Sequence, residues 1–367
     1  MKDNILLVAG GTGGHIWPAL SFGRWIEKTK PEFDVNYMCG SRALEAEIYK
    51  SAEVSPFVLG MQGSPLSGSS AAQRLGRLKS LFTSYFEAKR VLKKLKPKAC
   101  VLFAGYISFP AMFACKSLNI PFLLHEQNAY AGKVTRIASR LGVKICTGWK
   151  SCKALSDGTY TFTGVPVRDF DMREADAAWK ALNIEDNFPG SPVVAVMTGS
   201  LGSLSIKEKI SEAAGDSKFE NWTFIFPAVS DKPQKAGKNI YLLPKVWDAS
   251  LLFSVADMAV VRGGGSTLTE VGTLGIPAIV IPWRAAADDH QYFNASAYAR
   301  ENRAIVKEEN ESGESFKTGL SELYRMYKNN GVNSSEGLYN RAEEICEKLW
   351  SALSVEFERS ACRGTEQ

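Results

Sequence analysis

The sequence predicts an α/β protein of two doubly wound domains facing each other across a cleft. Three observations carry this prediction. Short apolar runs bounded by glycine or polar turns alternate with longer helix-like segments, the rhythm of a parallel sheet with covering helices. That rhythm runs twice, with a proline- and acid-containing break between the two series. The length, 367 residues, is what two domains need at roughly 150 residues each.

The first series of predicted strands is NILLVAG (4–10), DVNYMCG (34–40), ACVLFAG (99–105), PFLLHEQ (121–127) and KICTGW (144–149). Helix-like segments such as PALSFGRWIEKTK and FPAMFACKSLN lie between them. The second series is SPVVAVMTGSLG (191–202), NWTFIFPA (221–228), NIYLLP (239–244), ADMAVVRGG (256–264) and PAIVIPW (277–283). The break between them places the boundary near Pro166, giving an N-terminal domain over 1–165 and a C-terminal domain over 166–340. The amphipathic stretch LYNRAEEICEKLWSALSVEF predicts a terminal helix within 341–367 that packs back toward the first domain, with ERSACRGTEQ frayed.

Composition narrows the class. At 45% hydrophobic and 23% charged residues there is apolar material for two cores. Cys39, Cys100, Cys115, Cys146, Cys152, Cys346 and Cys362 are scattered and never form a Cys-x-x-Cys pair, which points to reduced, packed thiols rather than zinc ligands or a disulfide framework. The opening apolar run is too short and too early for a signal peptide, and no stretch has the ~18 apolar residues of a membrane span, so a soluble, cytosolic protein is expected. The net charge of +5 is concentrated: Arg74, Arg77, Lys79, Lys89, Arg90, Lys93, Lys94, Lys96 and Lys98 stand against the single acid Glu87.

Chemistry is sought at strand ends, where open α/β sheets bind ligands. Four glycines in five residues follow the first strand, in AGGTGGH (9–15). The dinucleotide fingerprint fails here: Gly11 and Gly13 fit, but Ile16 stands at the third glycine, and the second strand ends in Met38 and Cys39 rather than an acid. The triphosphate loop fails too, with His15 and Ile16 where Gly and Lys belong. What survives is a glycine turn presenting backbone N–H groups at a helix N-terminus, a site for phosphate or pyrophosphate, with an unliganded tight turn as the alternative. His15 is either a general base or phosphate partner at the mouth of that loop, or a capping or packing residue; spacing does not choose.

FAGYISFP (103–110) repeats the strand, glycine, helix pattern weakly. TGSLGS (198–203), with hydroxyls at Ser200 and Ser203, reads as a second phosphate site or as a serine-capped turn. In VVRGGGSTLTEVGTLGIPAIVIP (260–282), Arg262 sits at a strand end, Ser266 and Thr267 are expected to cap a helix, and Glu270 is expected in its first turn. A carboxylate there can accept two ribose hydroxyls or, as a capping-box acid, backbone N–H groups. DDHQYFNA (288–295) puts His290 and Gln291 at a further helix start, suited to sugar hydroxyls or simply polar. A phosphate loop in one domain, and a phosphate loop with a ribose-type acid in the other, fit an enzyme that joins a nucleotide-sugar to a phosphate-bearing acceptor.

GGTGGHIWPAL (10–20), HEQNAYAG (125–132), TGVPVR (163–168), GSLGS (199–203), RGGGSTLTE (262–270) and DDHQYFNA (288–295) occur in this order over almost the whole chain. Together they resemble the MurG family, the bacterial enzymes that add N-acetylglucosamine to undecaprenyl-pyrophosphoryl-N-acetylmuramoyl-pentapeptide (lipid I) to make lipid II. The resemblance implies two Rossmann-like domains of the GT-B glycosyltransferase type, with UDP-N-acetylglucosamine in the C-terminal domain and the acceptor pyrophosphate on the first glycine loop. It implies a peripheral protein on the cytoplasmic face of the cell membrane. It further implies that Glu270 holds the ribose, the backbone of Val246 reads the uracil edge, Ser200 binds the donor phosphate, and Arg168 lies at the hinge near the diphosphate. Asn128, Gly265, Ser266, Thr267 and Gln291 surround the sugar, Leu268 and Thr269 complete the substrate-binding set, and Thr12, Gly13 and Gly14 line the opposite side. The chain departs from the family pattern at Thr198, Ser203 and Lys207 (usually Gly, Ala and Asn), at Val165 (Asn), at Ala104 (Gly) and at Gly265 (Ala).

An α-linked donor and a β-linked product imply one in-line displacement with inversion. The acceptor 4-hydroxyl must lose a proton, for which His15 is the candidate base and Glu126 or solvent the alternatives. The departing UDP must gain positive potential, from the helix N-terminus behind GSLGS and an arginine. No Asp-x-Asp lies at a strand end, so neither a metal nor a cofactor is expected. The stretch Arg74–Lys98 mixes its cations with Leu75, Leu78, Leu81, Phe82, Tyr85 and Phe86, which suits an anionic membrane surface; nucleic acid is a poor fit, because the cations are confined to one stretch and no recognition module is present. The rival readings are another UDP-sugar transferase or epimerase on the same fold, and a non-catalytic binder.

Overall fold

The computed structural model describes residues 2–63, 71–190, 192–198, 203–329 and 335–364. The chain divides into two compact units, Met1–Arg168 with Ala342–Gln367, and Asp169–Arg341.

The first unit opens with β1 (Asp3–Val8), α1 (Gly13–Thr29), β2 (Phe33–Cys39), α2 (Ala43–Ser51), β3 (Phe57–Val58) and α3 (Ala71–Leu95). It continues with β4 (Ala99–Leu102), α4 (Ser108–Ser117), β5 (Phe122–Glu126), α5 (Lys133–Arg140), β6 (Ile145–Thr147) and β7 (Tyr160–Phe162). The strands form one parallel sheet in the order β3-β2-β1-β4-β5-β6-β7. Ile5 to Val8 and Ala99 to Leu102 are wholly buried, so these central strands read as unbroken apolar runs because helices cover both faces.

The second unit contains α6 (Ala175–Ala181), β8 (Val193–Met197), α7 (Leu204–Ala214), β9 (Thr223–Phe226), β10 (Gln234–Lys235), β11 (Ile240–Leu242) and α8 (Ala249–Val255). After these come β12 (Met258–Val261), α9 (Gly265–Thr273), β13 (Ala278–Val280), α10 (His290–Glu301), β14 (Ala304–Val306) and α11 (Gly313–Asn329). Its sheet runs β10-β11-β9-β8-β12-β13-β14, parallel except where β10 pairs antiparallel with β11. Helix α12 (Ser335–Gly364) contributes to the first unit from Ala342 onward. There Trp350 meets Phe33 edge-on at 5.0 Å and Trp25 at 6.3 Å, over buried Leu349 and Leu353.

All ten predicted strands are present. The four that sequence did not predict, β3, β7, β10 and β14, are the outer strands of the two sheets. Each is two or three residues long and none of their residues is buried, so none carries the continuous apolar run that betrays a central strand.

Strand order reverses direction between β1 and β4 in one sheet and between β8 and β12 in the other, which is where open sheets of this kind bind ligands. All four glycine loops follow these strands. Helix α1 begins at Gly13 rather than near Pro18, so His15 stands in its first turn and not in the loop itself. Gly11 takes φ +99°, a value that favours glycine, and Gly105 takes φ +70°. Ala104 also lies in the left-handed region, at φ +46°. An alanine there carries a Cβ penalty that a glycine lacks, so Ala104→Gly should stabilise the first unit by up to about 1 kcal/mol, read as a raised denaturation midpoint; an unchanged or lowered midpoint would show that the unfolded-chain entropy of glycine outweighs it.

Candidate active site

In the first unit, a wholly buried carboxylate organises the glycine loop. Glu45, from α2, accepts hydrogen bonds from the Gly11 N–H (2.8 Å), the Gly40 N–H (2.6 Å) and the Tyr106 hydroxyl (2.5 Å). It thus ties together the loops after β1, β2 and β4. The Gly11 N–H is thereby engaged within the protein, by Glu45. Thr12 is the exposed N-cap of α1, and Gly13 and Gly14 are half-buried. Arg42 stacks on Tyr106 at 4.9 Å beside them.

His15 is half-buried, and its Nδ1 lies 2.6 Å from Gln127 Oε1. Gln127 Nε2 is 2.8 Å from His125 Nδ1, and His125 Nε2 is 2.8 Å from the Gly164 carbonyl. Burial, helped by the charge of nearby His15, holds His125 down to about 4, so it is neutral at physiological pH. Gly105 gives His15 room: a Cβ there would lie 3.2 Å from the ring. Glu126 is buried and accepts from the Asn128 N–H and side-chain amide (3.0 Å each), the Gly132 N–H (3.0 Å) and the Thr135 hydroxyl (2.5 Å). It shapes the HEQN turn and sets the orientation of Asn128. Arg168 lies over the Trp17 ring at 4.0 Å.

In the second unit, Ser200 lies outside the described residues. Ser203 is the N-cap of α7, and its hydroxyl accepts from the Ile206 N–H. Ser203 and Ser205 also donate to Glu309, which pairs with both terminal nitrogens of Arg262 at 2.8 and 2.9 Å. Arg262 is therefore committed to a partner. Its hydrogen bonds hold the Glu309 carboxyl down to about 2.

Helix α9 starts at Gly265 with Gly264 as N-cap, so Ser266 and Thr267 lie inside its first turn and do not cap it. Glu270 sits one turn further on than expected and is buried, beyond the position of a capping-box acid. Leu268 is a wholly buried core side chain, which leaves only its backbone for a ligand. The Thr269 hydroxyl donates back to the Gly265 carbonyl at 2.9 Å. Gln291 follows His290 at the start of α10, and its Oε1 accepts from the Trp283 N–H at 3.0 Å. Gly263 allows α10 to approach, since a Cβ there would lie 2.2 Å from the Gln291 carbonyl oxygen. Val246 lies half-buried between β11 and the Asp248 cap of α8.

Glu45, Tyr106, Gln127 and Glu309 are not singled out by any sequence pattern. Gln127 lay inside a noted motif, but its role depends on α1 lying across from the end of β5. Glu45 joins nearby Gly40 to Gly11, 34 residues away, and Glu309 serves Ser203 and Ser205, 106 and 104 residues away, so the pairing in each case needs the fold.

Helix α3 presents Lys79, Phe82, Phe86, Arg90, Lys93 and Lys94 at helical spacing, with Phe82 65% and Phe86 61% exposed. Among the described residues, no helix is long and apolar enough to cross a membrane.

The N-terminal domain of glycosyltransferase family 28 matches residues 5–147, and the C-terminal domain of the same family matches 193–349. A Lactococcus lactis subsp. lactis (strain IL1403) protein named UDP-N-acetylglucosamine--N-acetylmuramyl-(pentapeptide) pyrophosphoryl-undecaprenol N-acetylglucosamine transferase is 28% identical over 93% of this chain and 99% of its own length. The crystal structure of Acinetobacter baumannii MurG superimposes with a TM-score of 0.65 at 22% identity, covering 96% of this chain and 99% of that one. A UDP-GlcNAc 2-epimerase from Neisseria meningitidis, solved with UDP-GlcNAc bound, gives 0.61 at 16% identity over 95% of this chain and 100% of its own. The two structural likenesses share a fold and do not separate transfer from epimerisation.

The Arg262–Glu309 pair has a pH signature. The folded carboxyl titrates near 2 against an ordinary 4.5, so its stabilisation is present above about 4.5 and is lost as pH falls through 2. Glu309→Gln should lower the stability of the second unit by about 2 kcal/mol at pH 7, with the difference from the parent shrinking below pH 4 in denaturant melts. A pH-independent difference would mean that the charge of Glu309 is not what matters.

Proposed function

Because the chain belongs to glycosyltransferase family 28 and is a UDP-N-acetylglucosamine-dependent glycosyltransferase, we propose that it moves N-acetylglucosamine to the 4-hydroxyl of the N-acetylmuramoyl group of lipid I, with inversion, to give lipid II. The first glycine loop carries this reading. It presents the N-terminus of α1 to an anion and, on the same turn, a histidine whose ring is oriented by a fixed amide. A sugar hydroxyl attached to a pyrophosphate needs both features.

The acceptor pyrophosphate is assigned to Thr12, Gly13 and Gly14, and the attacking hydroxyl gives its proton to His15. Glu126 is not favoured as the base, because both of its carboxyl oxygens already accept hydrogen bonds from the HEQN turn and Thr135. The donor is assigned to the second unit. There Glu270 takes the ribose, the Val246 backbone the uracil edge, and Ser200 the phosphate. Gly265, Ser266, Thr267 and Gln291 take the sugar, with the Leu268 backbone and Thr269 continuing that turn. With Arg262 engaged by Glu309, the charge on departing UDP is offset chiefly by the N-termini of α7 and α9. Asn128 and Arg168 complete the substrate contacts from the first unit.

The exposed face of α3 is assigned to an anionic membrane surface, where the lipid-linked acceptor resides. Its two phenylalanines supply apolar area and its cations attract anionic headgroups.

Two experiments test these assignments. UDP release from UDP-N-acetylglucosamine should require a short-chain lipid I analogue, persist in EDTA, and fall about 10²–10⁴-fold in His15→Ala with donor binding retained. Release without the acceptor would point instead to hydrolysis or epimerisation, and full activity of the variant would remove His15 as base. Replacing Phe82 and Phe86 together by serine should weaken co-sedimentation with anionic vesicles at least about tenfold while leaving turnover of a water-soluble acceptor unchanged. Undiminished vesicle binding would place the membrane contact elsewhere.

A further inference from the structure

The polar chain behind His15 has a direction, and that direction specifies which ring nitrogen carries the proton. It ends at the Gly164 carbonyl, which can only accept, so His125 must donate from Nε2. His125 is wholly buried and neutral, so its Nδ1 is bare and accepts. The donor it meets is Gln127 Nε2, whose other hydrogen goes to the His125 carbonyl at 2.8 Å. Both amide hydrogens are thereby used, and the atom facing His15 is the amide oxygen. Oxygen can only accept, so His15 must carry its proton on Nδ1, 2.6 Å away. A neutral imidazole has one N–H, which leaves the lone pair on Nε2. Among the described residues no protein group bonds that atom, and the missing side chain of Gly105 leaves space beside it.

We propose that Gln127 is a positioning residue that locks His15 in the tautomer whose Nε2 accepts a proton, with His125 and the Gly164 carbonyl fixing the orientation of the Gln127 amide. The proposal rests on the reading of His15 as the base. A neutral amide sets the tautomer without adding a carboxylate charge beside the ring. The backbone at this point is fixed as well: the Gln127 carbonyl accepts from the Trp149 indole N–H at 2.9 Å. Gln127→Leu removes the acceptor and frees the tautomer.

The test combines nitrogen NMR of the full chain labelled with 15N-histidine and steady-state kinetics. There are three histidine rings, and the spectrum of His15→Ala assigns the one in question. In the parent protein, His15 should show protonated Nδ1 and bare Nε2, and His125 the reverse. In Gln127→Leu, His15 should become a mixture of tautomers, with kcat down about 10- to 100-fold and the donor KM unchanged. A parent spectrum with the His15 proton on Nε2 overturns the proposal without any variant. So does a Gln127→Leu enzyme with parental kcat while His15→Ala is inactive; that result would leave His15 as base but deny the lock. An active His15→Ala enzyme beside the expected parent tautomers would instead remove the base and leave the hydrogen-bond chain as architecture.

Discussion

The hydrogen bonds that Glu45 accepts are the constraint on which the first unit's site depends. A parallel sheet ends in loops whose backbone N–H groups no longer have strand partners. Buried loops of this kind survive only if something accepts from them. Glu45 serves two of these N–H groups and the Tyr106 hydroxyl from a wholly buried position. Bonds to a charged acceptor contribute about 1.5–3 kcal/mol each, and more is lost if the donors are left unpaired. Glu126 does the same for the HEQN turn, and Glu309 accepts from the Ser203 and Ser205 hydroxyls at the start of α7. Three carboxylates that take no part in the assigned chemistry thus hold strand-end loops in shape, so that the loops need not be reorganised by substrate.

Much of this was legible in the sequence, for a physical reason. Central strands buried on both faces must be continuously apolar, and the glycines after them mark turns that other residues enter only with strain. These features predicted the ten inner strands and placed all four glycine loops at strand ends. The outer strands were silent because two or three half-exposed residues need no apolar run. Local rules also misplaced residues within helices. Ser266 and Thr267 look like caps, but α9 starts at Gly265, one residue before them. Glu270 looked like a first-turn acid and lies in the second. The long-range partners could not be read at all. Glu45 is 34 residues from Gly11, and Gln127 is 112 from His15, so only the fold brings them together.

Fold alone does not decide the chemistry. The same architecture serves the Neisseria meningitidis UDP-GlcNAc 2-epimerase and Acinetobacter baumannii MurG. What supports the proposal of transfer lies in the first unit: the glycine-rich start of α1 and, in its first turn, a histidine whose Nδ1 is held by Gln127. The second unit, with a buried acid in α9 and the Arg262–Glu309 pair joined to the start of α7, is where we propose that the nucleotide-sugar binds. The exposed Phe82 and Phe86 and the cations of α3, which we propose meet a membrane surface, belong to the first unit too.

The most direct test is to identify the product. The enzyme would be incubated with UDP-N-acetylglucosamine and a short-chain lipid I analogue, and the product characterised by mass spectrometry and proton NMR. The expected product carries one added N-acetylhexosamine, linked to the 4-oxygen of the muramoyl residue, with the coupling of a β-anomeric proton. Free N-acetylglucosamine, an epimerised UDP-sugar, an α-linkage, or an unaltered acceptor would contradict it.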